Sequence, residues 1–236
     1  YFFYIRESSW AGGLLLLTTA VTYLAGIAIE KGRHRRTWLI FAVAVCLGLL
    51  IGLKYSVPPV GISFYTFQTM AYVIDVYRGE ISAEKNPASY ALFVSFFPQM
   101  VQGPISRYDQ LAPQLLAERS LDWRDLKFGI QLCLWGYFKK LVIADRAAVL
   151  VNAVITENCP YGGAIIASGI LFYCIQLYCD FSGGIDLVAG IAELFGIRLA
   201  ENFRRPYFAV SLGDFWRRWH ISLGAWMRDY VFYPFA

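Results

Sequence analysis

The chain has 236 residues, of which 58% are hydrophobic, 17% aromatic and only 16% charged, with a mean hydropathy of +0.47. A soluble domain carries roughly 45–50% apolar and about 25% charged residues, so these values exclude a disordered chain and leave too few charges to wet a globular surface. The net charge of +4 is scattered and gives no basis for nucleic-acid binding. Taken in chain order, the long uncharged runs predict membrane-spanning helices, each near the ~20 residues a bilayer core requires. Ser8 to Ile29 is the first, Thr37 to Leu53 the second, and Tyr55 to Ile74, opened by Pro58-Pro59, the third. Gly48 and Gly52 form a GxxxG pair, which predicts a close helix–helix contact. Asn86 to Ser106 is long enough but carries Pro98 and Pro104, so a broken or re-entrant helix is expected. Non-helical backbone at that depth survives inside protein or beside a cavity, so 98–104 either lines a cavity or is a plain kink. Phe128 to Phe138 is short before Lys139-Lys140, which predicts at best a partial or tilted helix. Asn158 to Cys179 is the last full-length run.

Strands open at their edges cannot cross lipid and the alternation of a barrel is missing. The expected fold is therefore all-α, a polytopic transmembrane bundle with re-entrant or broken helices, in one membrane-embedded domain over 1–236. The loop Lys31 to Arg36 carries four Lys and Arg and is expected on the cytoplasmic side, with His34 simply part of it. The five cysteines, Cys46, Cys133, Cys159, Cys174 and Cys179, show no zinc spacing and are read as small hydrophobes. The first residue is Tyr1 and the last run is apolar to Ala236, so a fragment of a longer protein is expected.

The catalytic vocabulary is narrow. HExxH, GxSxG, a P-loop and GxGxxG are all absent, and only two histidines occur. His220 lies in Asp214-Phe215-Trp216-Arg217-Arg218-Trp219-His220-Ile221-Ser222-Leu223. Read as one helix over 214–230, this places Trp216, Trp219, Leu223, Trp226, Met227 and Tyr230 on a broad face together with His220. Arg217 and Arg228 then sit about 60–80° around, and Arg218 pairs with Asp214 on the far side. Such an imidazole suits a general base, with the arginines holding a phosphate or an oxyanion. It equally suits a histidine satisfied within an interfacial helix whose Trp and Arg are membrane anchors. Asp180-Phe181-Ser182-Gly183-Gly184-Ile185-Asp186 follows an apolar run directly, and Asp186 shares a helix face with Glu193. Its carboxylates face a cavity or lie in a loop at the membrane surface, and the glycine pair permits a bend or a close backbone approach. The segments 98–104 and 180–186 are expected to turn toward a shared cavity.

Together these segments resemble the membrane-bound O-acyltransferase family, most closely the bacterial branch of alginate O-acetylation. The residues that carry the resemblance begin with Val60-Gly61-Ile62-Ser63-Phe64-Tyr65-Thr66-Phe67-Gln68 and Tyr72-Val73-Ile74-Asp75-Val76-Tyr77-Arg78-Gly79. They continue through Phe97-Pro98-Gln99-Met100-Val101-Gln102-Gly103-Pro104-Ile105 and Lys139-Lys140-Leu141-Val142-Ile143-Ala144-Asp145. Asp180-Phe181-Ser182-Gly183, Glu201-Asn202-Phe203 and the segment around His220 complete the match, which covers roughly 58–236. The resemblance implies a funnel-shaped helical enzyme in the cell membrane of a bacterium, moving an acyl group from a thioester to a hydroxyl of a cell-surface polysaccharide. It implies two hallmark histidines at the catalytic site, the one that His220 matches and a second downstream on an apolar segment, usually favoured as the catalytic one, which this sequence does not contain. Arg217, Arg228, Asp180, Ser182 and Trp216 are the expected substrate-binding residues. No tightly bound cofactor is implied; acetyl-CoA or a carrier-bound acyl thioester is the donor. The lipid bilayer, an extracytoplasmic acetyltransferase and an acyl carrier protein are the implied partners. D-alanyl transfer to teichoic acid is the alternative, although that branch usually has Ala where Ser182 stands, and Gly184 departs from both. A transporter, with Asp180, Asp186 and Glu193 along a solute path, is the rival from another class.

Overall fold

The computed structural model describes the chain apart from residues 33, 56–57, 121, 156–159 and 236, so Arg33 of the basic loop and Cys159 lie outside the described residues. Every regular element among the described residues is helical, as expected. Three helices are long and apolar enough to cross a bilayer: Ser9–Glu30, Arg35–Lys54 and Gly163–Leu194. The chain separates into two compact units, residues 1–119 with 199–236, and residues 120–198.

In the first unit, α1 (Phe2–Glu7) leads into α2 (Ser9–Glu30), α3 (Arg35–Lys54) and α4 (Ile62–Arg78), and α4 packs against both α2 and α3. Gly79 ends α4 in the left-handed region, where its N–H bonds Val76 and the next N–H returns to Asp75, so orphan carbonyls of the last turn are used. Gly26 of α2 lies under the Tyr72 ring, which a Cβ would meet at 2.9 Å. Tyr72, Tyr90, Phe93 and Tyr108 form the aromatic centre of this unit, with ring centroids 4.5–5.1 Å apart for Tyr72–Tyr90, Tyr72–Tyr108 and Phe93–Tyr108. Such pairs add roughly 0.5–1.5 kcal/mol each beyond burial.

The run from Asn86 is broken as its prolines predict. Asn86 caps α5 (Pro87–Val94), and after three residues α6 (Pro98–Val101) restarts with Pro98 in its first turn. Phe97, Met100 and Val101 line an apolar cavity of about 560 Å³ whose other walls include Tyr4, Trp10 and Pro59. The cavity reading of this break is thus the better one. Residues 180–186 belong to the second unit. Gly61, at φ +75°, abuts the Met100 carbonyl so closely that no side chain fits. After α7 (Tyr108–Leu116) the unit resumes at 199.

The second unit is a helical pair. α8 (Trp123–Tyr137) passes through a π-helical stretch, Phe138–Ala144, into α9 (Asp145–Val154), and α10 (Gly163–Leu194) runs antiparallel to them. The stretch expected to be at best a partial or tilted helix is not among the candidate spans, and helical chain continues through both lysines. Lys139, 7% exposed, bonds Asp186 at 2.5 Å and Ser182 at 3.1 Å, while Lys140 reaches Asp180 at 2.6 Å and Asp145 at 2.9 Å. Paired charges do not have to end a helix in an apolar run.

Of the bend and the close backbone approach that Gly183-Gly184 permits, the structure shows the close approach, within an α10 continuous for 32 residues. A Cβ on Gly136 would sit 2.6 Å from the Gly183 carbonyl, and one on Gly129 would sit 2.8 Å from that of Gly190. The close glycine contact predicted at Gly48 and Gly52 is not made, because a Cβ at either would meet nothing within 4 Å. Cys46 and Cys179 are buried, whereas Cys133 and Cys174 are only half-buried.

Candidate active site

The segment predicted as one helix over 214–230 is two. Ser211 caps α11 (Leu212–Arg218) by accepting from the Asp214 N–H, and α12 (Ile221–Met227) begins after His220. A π-helical turn, Arg228–Phe232, and α13 (Tyr233–Phe235) follow. The break is made by a second strand of chain. Phe203 pairs antiparallel with Trp219, and the Arg204 N–H donates to the Arg218 carbonyl at 2.9 Å. The Ile221 N–H donates to the Asn202 carbonyl at 3.0 Å. His220, at φ +47°, is thereby held in the left-handed region, which costs a non-glycine residue about 1–3 kcal/mol and is concentrated at functional sites.

The single aromatic face therefore dissolves. Trp219 packs into a ring cluster with Phe203 at 5.0 Å and Phe215 at 5.6 Å. Trp216 is exposed, whereas Trp226 and Tyr230 are buried toward α4. Trp226 donates Nε1–H to the Phe67 carbonyl at 3.0 Å, and Tyr230 donates its hydroxyl to Asp75 at 2.8 Å. Arg78 and Arg107 both lie over the Tyr230 ring, and Arg107 pairs with Asp229.

The His220 ring is half-buried, and its Nδ1 lies 3.2 Å from Oδ1 of Asn202. That oxygen also accepts the Ser222 N–H at 3.0 Å and the Ser222 hydroxyl at 2.9 Å. Ser222 Oγ in turn accepts the Ile105 N–H at 3.1 Å. The neighbouring Ser106 donates to Gln99, which donates to Gln68, which donates to the Phe93 carbonyl. A buried polar chain therefore joins the broken α5–α6 segment to the imidazole. Burial pushes the imidazole below its ordinary value, so it is neutral at pH 7.

On the other side of this break is an open basin of about 620 Å³. Arg204, Arg217, Arg218 and Arg228 line it together with Trp216 and Asp214, and Arg218 and Ile221, which flank His220 in sequence by two and one residues, are among its walls. Asp214 bonds Arg218 at 2.9 Å, which holds its carboxyl below the usual range. Each guanidinium has a carboxylate partner, Glu201 for Arg204, Asp214 for Arg217 and Arg218, and Asp229 for Arg228, and such planar forks are also suited to an anion.

The structure thus brings the predicted Arg217, Arg228 and Trp216 into one basin and puts His220 in the hydrogen-bonded cluster that forms its sequence neighbour. Arg218, placed by helical geometry on the far side, lines the same basin. Arg204, Asn202, Ser222, Gln68 and Gln99 were given no role by sequence reasoning. The two glutamines had a signal, being uncharged polar residues inside apolar runs. Asn202 stood among the residues that carry the resemblance, but its role is revealed only by the pairing of 202–204 with 218–221.

Asp180 and Ser182 belong to the second unit. Asp180 is paired with Lys140, Ser182 is 2% exposed and bonded to Lys139, and Glu193 pairs with Arg198 at 3.2 Å. With Asp186 also paired, the acidic residues assigned to a solute path hold helices together.

Residues 80–236 match the family model of the membrane-bound O-acyltransferase family. The chain is 36% identical to a probable alginate O-acetylase of Pseudomonas fluorescens, over 97% of this chain and 49% of that protein. It is 31% identical to a peptidoglycan O-acetyltransferase of Helicobacter pylori, over 94% of this chain and 51% of the relative. It is 32% identical to a teichoic acid D-alanyltransferase of Bacillus subtilis, over 75% of this chain and 45% of the relative. The chain spans about half the length of the curated relatives it matches.

Proposed function

Because this chain belongs to the membrane-bound O-acyltransferase family, we propose that the whole protein is a multi-pass enzyme of the bacterial cell membrane that transfers acetyl from a thioester to a hydroxyl of a cell-surface polysaccharide. The observation that carries the reading is a neutral histidine, fixed by Asn202 at a strained break, next in sequence to residues lining a four-arginine basin. His220 takes the proton of the accepting hydroxyl as that oxygen forms its bond to the thioester carbonyl. The tetrahedral oxyanion is stabilised by a guanidinium of the basin, with Arg217 and Arg228 as the proposed donors. Its collapse breaks the carbon–sulfur bond, and the leaving thiolate recovers the proton from the imidazolium. The products are an ester and a thiol.

The donor is acetyl-CoA or a carrier-bound acyl thioester, whose phosphates suit the arginine basin. An extracytoplasmic acetyltransferase and an acyl carrier protein are the proposed partners, in addition to the bilayer. Acetyl is favoured over D-alanyl by the relatives covered across nearly all of this chain, since the D-alanyltransferase is matched over 75%.

The full-length protein in vesicles, given thioester labelled in its acetyl group and a polysaccharide acceptor, is expected to place alkali-releasable label on the acceptor. Transfer of D-alanyl and not acetyl, or no transfer by folded protein, would overturn this reading.

A further inference from the structure

We propose that Asn202 is the positioning residue for His220: its side-chain oxygen accepts Nδ1–H, so that Nε2 is the basic nitrogen of the imidazole. The proposal rests on His220 being the base of the transfer reaction. The orientation of the Asn202 amide is fixed by a group that can only donate. The backbone N–H of Ser222 points at it from 3.0 Å, so the atom there is the oxygen. The Ser222 hydroxyl accepts from the Ile105 N–H and gives its own proton to the same oxygen. Facing an acceptor at 3.2 Å, Nδ1 carries the hydrogen. In the neutral ring the other nitrogen then holds the lone pair.

The same residue sets the backbone. Its carbonyl accepts the Ile221 N–H at 3.0 Å, immediately after the left-handed His220. Asn202 is 1% exposed, so it acts through His220 and not by touching substrate. The Asn202 Nδ2 is buried with no hydrogen-bond partner among the described residues. An unsatisfied buried donor is costly, and the fold carries that cost while keeping the oxygen aimed at the histidine. An amide is also the right acceptor for a base near neutrality. A carboxylate in its place would favour the imidazolium and raise the pH at which the base becomes active.

The test uses the full-length protein with 15N-labelled histidine, as wild type, Asn202→Leu, Asn202→Asp and His220→Ala, the last assigning the His220 resonance. The wild-type spectrum is expected to show the hydrogen on Nδ1. Asn202→Leu is expected to lose that preference and to lower kcat by about 10–100-fold, the range for removing a partner that orients a functional imidazole, with KM little changed. Asn202→Asp keeps all three hydrogen bonds, so it should retain activity at high pH with its acid limb moved up by about one pH unit or more. The charged groups on the packed segments are Glu201, Arg204 and Arg205 beside Asn202, Arg217 and Arg218 before the imidazole, and Arg107 beyond Ile105. None changes in these variants, so a moved limb reads position 202. A wild-type His220 carrying its hydrogen on Nε2, or an Asn202→Leu protein with wild-type kcat, would overturn the proposal. Full activity in His220→Ala would instead overturn the functional reading, and the tautomer would still decide the role of Asn202.

Discussion

His220→Ala in the full-length protein is expected to lower acyl transfer by about 10²–10⁴-fold, the usual contribution of a general base, while the protein remains folded in the membrane. Folding should survive because Asn202 keeps two of its three donors, both from Ser222, and the Ile221 and Arg204 backbone bonds do not involve the imidazole. The strand pairing that creates the break is thus left in place. The loss should fall on kcat, since the proton moves only in the transition state. Rates that fall through KM alone would show that His220 merely binds substrate, with the second family histidine as base. Wild-type rates in the folded variant would remove His220 from the active site.

Gly136→Leu is expected to disrupt folding of the α8–α10 pair strongly. Its Cβ would lie 2.6 Å from the Gly183 carbonyl of the facing helix, and a backbone atom cannot step aside as a flexible side chain can. Overpacking of this kind costs about 1–3 kcal/mol, occasionally more. Separating the helices would also loosen Lys139 from Ser182 and Asp186, and a buried charge deprived of its partner costs roughly 3–5 kcal/mol. Gly48→Leu is the matched control, because a Cβ there meets nothing within 4 Å. The fraction remaining monodisperse after heating in detergent should fall sharply for the first variant and stay at the wild-type level for the second. Equal survival of both would contradict the glycine seam.

This pair of variants also shows where sequence reasoning reaches and where it stops. Apolar run length locates the long helices at Ser9–Glu30 and Arg35–Lys54 to within about two residues, since bilayer thickness and backbone satisfaction dictate both length and type. It does not reveal how helical chain carries Lys139 and Lys140, because their partners Asp186 and Asp180 lie 47 and 40 residues away in α10. The GxxxG spacing at Gly48 pointed to the wrong helix; the glycines that pack are seven apart on each partner, Gly129 and Gly136 against Gly190 and Gly183. Pro98 was readable, because proline breaks a helix through its own covalent geometry. The break at His220 was not, because neither Gly nor Pro marks it. It is imposed by hydrogen bonds that Asn202 accepts from Ile221 and Ser222, and a 100° period drawn through 214–230 runs straight across it. The expected Arg217, Arg228 and Trp216 do line one basin, but the single helix that was to array them around His220 is two.

The central claim is that a neutral, buried His220 moves the proton in acyl transfer. It is tested most directly by the pH dependence of kcat/KM in full-length wild type and His220→Ala, with labelled acetyl thioester. A base works unprotonated, so the rate falls as pH drops through its pKa, and burial places that pKa below the ordinary histidine value. The wild-type acid limb should lie below about pH 6.5 and vanish in His220→Ala, leaving a low residual rate without that inflection. The same limb at the same pH in His220→Ala would contradict the claim.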